Sequence, residues 1–169
     1  MSYKFENVSY DHKKAITDIF NYYVVNSFAA YPTSPVGDAL FDRFYDMSSG
    51  YPFKVITYNT KEIVGFAFLH PYHLADSFSK TAEITYFILP EHTGKGLATK
   101  ILNLFISIGK KQGIMNLLAN ISSLNEGSIN FHKKNGFVEC GRFKNIGHKF
   151  NKDFDVVWMQ LNINKYHPK

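Results

Sequence analysis

The sequence predicts a mixed α/β (α+β) fold in one domain over residues 1–169, with a central sheet covered by helices on both faces. Three observations carry this expectation. Short apolar runs are interrupted throughout by stretches of helical periodicity, an order that builds a sheet layered with helices. The chain is 45% hydrophobic and holds 16 phenylalanines and 11 tyrosines, ample for a core at ordinary domain size. An apolar run from Ile84 to Leu89 stops at Pro90, passes Gly94 and Gly96, and opens an amphipathic run from Leu97 to Ile108.

Taken in order, Tyr3 to Val8 forms a first strand. Asp11 is expected to cap a helix whose Ile16, Ile19, Phe20, Tyr23 and Val24 share one face. Two prolines, Pro32 and Pro35, exclude helix and central strand and leave a loop. A short second helix is expected at roughly 37–48, then a hairpin of strands 53–58 and 63–70 turning at Asn59-Thr60-Lys61-Glu62. A strand at 82–89, a long helix at about 94–112, a strand at 115–121 and a helix at 126–135 follow. Strands near 141–150 and 153–162 close the chain, and no repeat or low-complexity segment interrupts it.

Composition excludes several classes. One cysteine, Cys140, permits no internal disulfide and points to a reducing compartment, so the cytoplasm is expected and the thiol reads as buried and structural. The N-terminal Met1-Ser2-Tyr3-Lys4 lacks an apolar signal region. No run approaches the roughly 18–20 apolar residues that span a bilayer, so no membrane is expected. The net charge of +5 comes from scattered lysines clustering only as the pairs Lys110-Lys111 and Lys133-Lys134. Nucleic acid is therefore not the expected partner, and a cofactor carrying phosphates accounts better for the basic bias. His70 and His73 are three apart without a further ligand, so no metal is expected.

The stretch Thr93-Gly94-Lys95-Gly96-Leu97-Ala98 joins a strand to a helix through two glycines. Such a turn lets backbone approach an anion and aims the freed N–H groups of a helix N-terminus at it. It has neither the P-loop nor the dinucleotide-fold spacing. It resembles the pyrophosphate loop of the GNAT N-acetyltransferases, Arg/Gln-x-x-Gly-x-Gly/Ala, with Gly96 and Ala98 in the last two positions and Thr93 where Arg or Gln is usual. Asn125 through Phe137 resembles the second landmark of that superfamily, Asn-x-x-Ser-x-x-Phe-Tyr/His-x-x-x-Gly-Phe. Gly147 to Phe150 with Asp155 to Gln160 is similar to the C-terminal hairpin of the phosphinothricin acetyltransferase-like branch. The stretch from Pro71 to Glu83 aligns with that branch without a gap. The chain is identified on these residues as a member of the superfamily.

The resemblance implies the GNAT fold, in which two central parallel strands splay and acetyl-CoA, a co-substrate, enters the gap. Backbone groups of Phe87, Ile88 and Leu89 would pair with the pantetheine arm. Thr93, Gly94, Lys95, Gly96, Leu97 and Ala98 would receive the pyrophosphate, and Asn125 and Lys134 would reach the cofactor from the other side. Lys134 reads equally as a solvated lysine on a helix face. The resemblance leaves a homodimer open.

The chemistry is attack of an amine on a thioester, which requires the amine to lose a proton and the leaving thiolate to gain one. Glu83 is the candidate base. An unpaired carboxylate on a buried strand is costly and has a raised pKa, although a wet site or a structural salt bridge would also account for it. His132 is the candidate acid, because imidazole titrates near neutrality; the other reading is a packed histidine that only hydrogen-bonds the cofactor. Relatives acting on phosphinothricin or methionine sulfoximine carry an arginine where this chain has Ala75, and Arg-Trp where it has Lys152-Asp153. Loss of a cation that pairs a substrate acid group points to a different amine. The expected activity is acetyl-CoA-dependent N-acetylation of a primary amine of a small molecule by direct ternary-complex transfer. The alternatives are acetylation of a protein N-terminus or lysine, and a catalytically silent acyl-CoA-binding module.

Overall fold

A computed structural model of the chain describes residues 2–59 and 61–166. Its strands are β1 (Tyr3–Asn7), β2 (Phe53–Tyr58), β3 (Glu62–Pro71), β4 (Thr81–Ile88), β5 (Asn116–Ser122), β6 (Val138–Lys149) and β7 (Lys152–Asn162). The helices are α1 (Lys13–Asn26), α2 (Ala39–Met47), α3 (Leu97–Lys111) and α4 (Glu126–Lys134). One sheet runs in the order β1-β2-β3-β4-β5-β7-β6, and every neighbouring pair is antiparallel except β4 and β5. No helix among the described residues is long and apolar enough to cross a membrane.

Strand alternation sorts the side chains into two cores. On one face, Ala82, Ile84 and Ile88 of β4 and Leu117, Ala119 and Ile121 of β5 pack with Leu97, Ile101 and Phe105 of α3 and Ile129 of α4. On the other, Phe53 and Val55 of β2 and Phe66 and Phe68 of β3 meet Ile16, Ile19, Phe20 and Val24 of α1 and Phe41 and Phe44 of α2. The helical stripe read from the sequence is thus the buried one, with Tyr23 half-buried.

Three local expectations change. Asp11 does not cap α1; it lies in a 3₁₀ turn, Tyr10–His12, that precedes the helix, where the Ser9 amide donates to His12 Nδ1 at 3.0 Å. The third helix starts at Leu97 rather than near Gly94, because Gly94 (φ 71°) and Gly96 (φ 75°) are both left-handed and cannot begin a right-handed helix. Cys140 is exposed, not buried, since β6 is the outer edge of the sheet and its ladder slips between Glu139 and Gly141. Of the residues expected to turn the β2–β3 hairpin, Thr60 lies outside the described residues.

Candidate active site

Two central strands that share only three residue pairs create the site. Thr81, Ala82 and Glu83 pair with Asn116, Leu117 and Leu118, and no pairing of β4 with β5 follows. Each strand keeps its outer neighbour, β3 for β4 and β7 for β5, so the sheet opens between them without losing its frame. A cleft of about 550 Å³ fills the opening. Its walls come from both faces of the sheet: Phe20, Leu40, Arg43 and Phe44 with Ala29 to Pro32 on one side, and Asn125, Ser128 and His132 on the other. Ile84 to Phe87 and Ala119 to Ser122 form the two edges. Ligands can therefore meet through the sheet.

The glycine turn stands at the N-terminus of α3. At Gly94 and Gly96 nothing lies within 4 Å of where a Cβ would point, so both are required by their positive φ and leave the space before the helix open. The amides of Leu97, Ala98 and Thr99 find no acceptor among the described residues, and the first intrahelical bond runs from Lys100 N to Gly96 O at 3.0 Å. Thr93 is exposed, its hydroxyl donating back to the Pro90 carbonyl at 2.7 Å. Lys95 is exposed, with Nζ 6.0 Å from the Tyr3 ring centroid. These unpaired donors at the positive end of a helix of fifteen residues can hold an anion.

Only one of the three residues expected to offer backbone to the pantetheine turns toward the gap. The Leu89 amide donates to the Val64 carbonyl at 2.8 Å, and alternation turns Phe87 the same way, onto Phe66 of β3. Ile88 faces the opposite side, and its carbonyl accepts from the Tyr23 hydroxyl of α1. Asn125 lines the cleft while capping α4, its Oδ1 accepting from the Ser128 amide at 3.3 Å. Lys134 is exposed in the last turn of α4, outside the cleft.

Glu83 points to the α1/α2 face with its side chain 13% exposed. Asn120 of β5, which lines the cleft, donates Nδ2 to Glu83 Oε2 at 3.0 Å, so the carboxylate stands directly behind it. Burial pushes the Glu83 carboxyl above its usual range, and the Asn120 hydrogen bond opposes that shift. His70 Nε2 is 3.9 Å away, but burial lowers the His70 pKa, leaving a neutral imidazole rather than an ion-pair partner.

His132 is 2% exposed and lies on the α4 side of the cleft. Its Nδ1 is 2.7 Å from the Ser128 carbonyl oxygen, which only an N–H can satisfy. Nε2 then carries the lone pair and accepts from the Tyr86 hydroxyl, with the two rings stacked at 5.5 Å. Burial lowers the His132 pKa from 6.5 to about 4, so the expectation of an imidazole titrating near neutrality is not met. The reason is that desolvation outweighs the single hydrogen bond that favours the cation.

Ala75 is exposed ahead of a 3₁₀ turn at Asp76–Phe78 and is not part of the cleft wall, nor are His73 and Lys152. Asp153 is paired with His148 at 2.6 Å on the β6–β7 hairpin. The residue at position 75 therefore does not set the charge of this cleft. Arg43 does: it is the cation in the wall, and it has no ion-pair partner among the described residues. Tyr86, Asn120 and Arg43 were not singled out from sequence. Asn120 had a signal, since it breaks the apolar run Leu117 to Ile121 on the same face as Glu83. No three His, Cys, Asp or Glu side chains gather as metal ligands among the described residues.

Comparisons with known proteins agree with this geometry. The acetyltransferase (GNAT) family profile matches residues 16–137. The L-methionine sulfoximine/L-methionine sulfone acetyltransferase of Pseudomonas paraeruginosa is 31% identical over 150 residues, covering 88% of this chain and 87% of that one. The phosphinothricin N-acetyltransferase of Streptomyces coelicolor is 25% identical over 151 residues, covering 87% and 88%. The protein yncA of Salmonella typhimurium, solved with its cofactor acetyl-CoA, superposes with a TM-score of 0.87 at 27% identity over 100% of this chain and 99% of that one. The split sheet, the anion-ready helix terminus and these matches lead to one conclusion: the chain belongs to the GNAT family of acetyltransferases.

Proposed function

We propose that this chain moves the acetyl group of acetyl-CoA to a primary amine of a small molecule by direct transfer in a ternary complex. The observation that carries the reading is the cleft through the sheet, with an anion-binding helix end on the α3/α4 face and a carboxylate of raised pKa on the α1/α2 face. Pyrophosphate would lie on the amides of Leu97, Ala98 and Thr99, and the thioester would reach the opening between β4 and β5. The amine would enter from the other face. Glu83 stands behind Asn120, so it draws the amine's proton through a water. The neutral nitrogen attacks the thioester carbon, the C–S bond breaks, and the amide forms. The proton that the nitrogen sheds as the amide forms passes through water to the departing thiolate, while neutral His132 holds the Tyr86 hydroxyl in the wall beside it. Asn125 and Ser128 complete that wall.

The acceptor side is walled by Phe20, Tyr31 and Phe44 and carries Arg43. Relatives named for methionine sulfoximine and phosphinothricin act on compact amino-acid-like molecules. We read the acceptor here as a small amine whose apolar part lies on those rings and whose anionic group faces Arg43. The exposed, unpaired Cys140 fits a cytoplasmic setting. A homodimer belongs to the same proposal, since edge strand β6 exposes Val138, Phe143 and Ile146; sedimentation in solution tests it.

The deciding experiment follows release of free CoA thiol while both substrates are varied over a panel of amino acids and polyamines. Direct transfer gives intersecting initial-velocity lines and no acetylated protein by mass spectrometry. Parallel lines, or CoA release without an amine, would overturn it.

A further inference from the structure

We propose that Lys149 is a positioning residue for the acceptor side of the cleft, holding the loop after α1 so that Tyr31 and Asn120 orient Glu83. The proposal rests on the reading of Glu83 as the base.

Lys149 ends β6 and is 2% exposed, yet no carboxylate pairs with it among the described residues. Its Nζ donates to the Ser27 carbonyl at 2.8 Å and to the Ala30 carbonyl at 2.7 Å. A buried ammonium without an anion is costly, and here its donors are spent on two carbonyls of one short segment. That segment continues into the cleft wall at Ala29, Ala30, Tyr31 and Pro32.

The hairpin tip beside Lys149 is built against the same loop. Lys149 pairs with Lys152 across a two-residue turn in which Phe150 (φ 51°) and Asn151 (φ 57°) are both left-handed. Asparagine is common in such turns; phenylalanine is not, and a bulky residue there persists only when its surroundings hold it. The Phe150 ring meets Phe28 at 5.4 Å, and Phe154 meets Phe28 at 5.8 Å and stacks on Tyr31 at 5.8 Å. Phe154 lies so close over Gly147 that a Cβ there would fall 2.2 Å from its ring.

From Tyr31 the path reaches the candidate base. The Tyr31 hydroxyl donates to Asn120 Oδ1 at 3.1 Å, which fixes the direction of the amide. Asn120 Nδ2 then donates to Glu83 Oε2 at 3.0 Å. The titratable groups facing Glu83 are Tyr31 from the loop and His70 from β3. Because the Asn120 N–H favours the charged carboxylate, its loss should raise the Glu83 pKa further.

The test compares Lys149→Met and Tyr31→Phe with Glu83→Gln, measuring kcat and KM across pH and acetyl-CoA affinity by thermal shift. Lys149→Met should lower kcat about tenfold, within the roughly 10²-fold that a displacement of about 1 Å costs. It should also raise the amine KM, leave acetyl-CoA affinity unchanged and move the acidic limb to higher pH. Tyr31→Phe should shift the limb in the same direction without touching the hairpin, and it decides the matter if Lys149→Met does not fold. A wild-type kcat and acidic limb in folded Lys149→Met, or in Tyr31→Phe, overturns the path while leaving Glu83 as base if Glu83→Gln is impaired. Full activity of Glu83→Gln overturns the base and the path together.

Discussion

Replacement of Gly96 by aspartate tests the anion site most directly. Gly96 has φ 75° and immediately precedes Leu97, with open space where a Cβ would stand. A side chain in that left-handed backbone costs about 1–2 kcal/mol, equivalent to about 2–8 °C of Tm for a chain of this size. Acetyl-CoA at about 100-fold above Kd should stabilise the wild type by about 2.7 kcal/mol, or about 5–11 °C. A carboxylate at position 96 would stand beside the free amides of Leu97, Ala98 and Thr99, competing with the pyrophosphate and repelling it. Two like charges about 4 Å apart at an effective dielectric of about 20 oppose each other by about 4 kcal/mol. That exceeds the ligand's contribution, so Gly96→Asp should melt somewhat below the wild type and gain nothing from acetyl-CoA. Gly96→Ala carries the same backbone penalty without the charge and should keep most of the protection. The assay is Tm against acetyl-CoA concentration for the three proteins. An undiminished shift in Gly96→Asp, or equal loss in Gly96→Ala, would refute electrostatic occupation of the helix end.

Glu83→Gln should lower turnover by roughly 10²–10⁴-fold with acetyl-CoA affinity preserved, and the acidic limb of wild-type kcat/KM should lie above the ordinary carboxylate range; steady-state kinetics across pH checks both. His132 binds no proton in the folded chain until about pH 4, whereas the unfolded chain takes one up near 6.5. Stability should therefore be full above the unfolded value and fall by up to about 3 kcal/mol as pH drops through that window. Urea titrations should show His132→Phe losing this component, and an unchanged pH dependence in the variant would contradict the burial argument. Arg43→Gln should raise KM about tenfold for amines bearing a carboxylate and leave their carboxamide analogues unaffected; equal effects on both would remove Arg43 from recognition.

Legibility from sequence followed the range of the forces involved. The strands, the helices and the buried stripe of Ile16, Ile19, Phe20 and Val24 were readable because side-chain periodicity and backbone geometry act over a few residues. The glycine turn was readable because a positive φ and an unpaired helix terminus are written in neighbouring residues. Glu83 was readable as a charge placed in an apolar strand. Other features depended on strand register and long-range packing. Only the tertiary structure turns Phe87 and Leu89 toward β3 and Ile88 away from it, since that depends on which neighbour takes each amide. Only burial on three sides converts His132 from a neutral-pH titrant into a fixed hydrogen-bond acceptor for Tyr86. The cation of the cleft is Arg43, which reaches it from α2, while Ala75 ends up outside the wall. Lys149 meets Ser27 and Ala30 across some 120 residues of chain, at separations of 122 and 119. Local pattern sets what each segment becomes; which charges lose water, and beside whom, is decided when distant segments close over them.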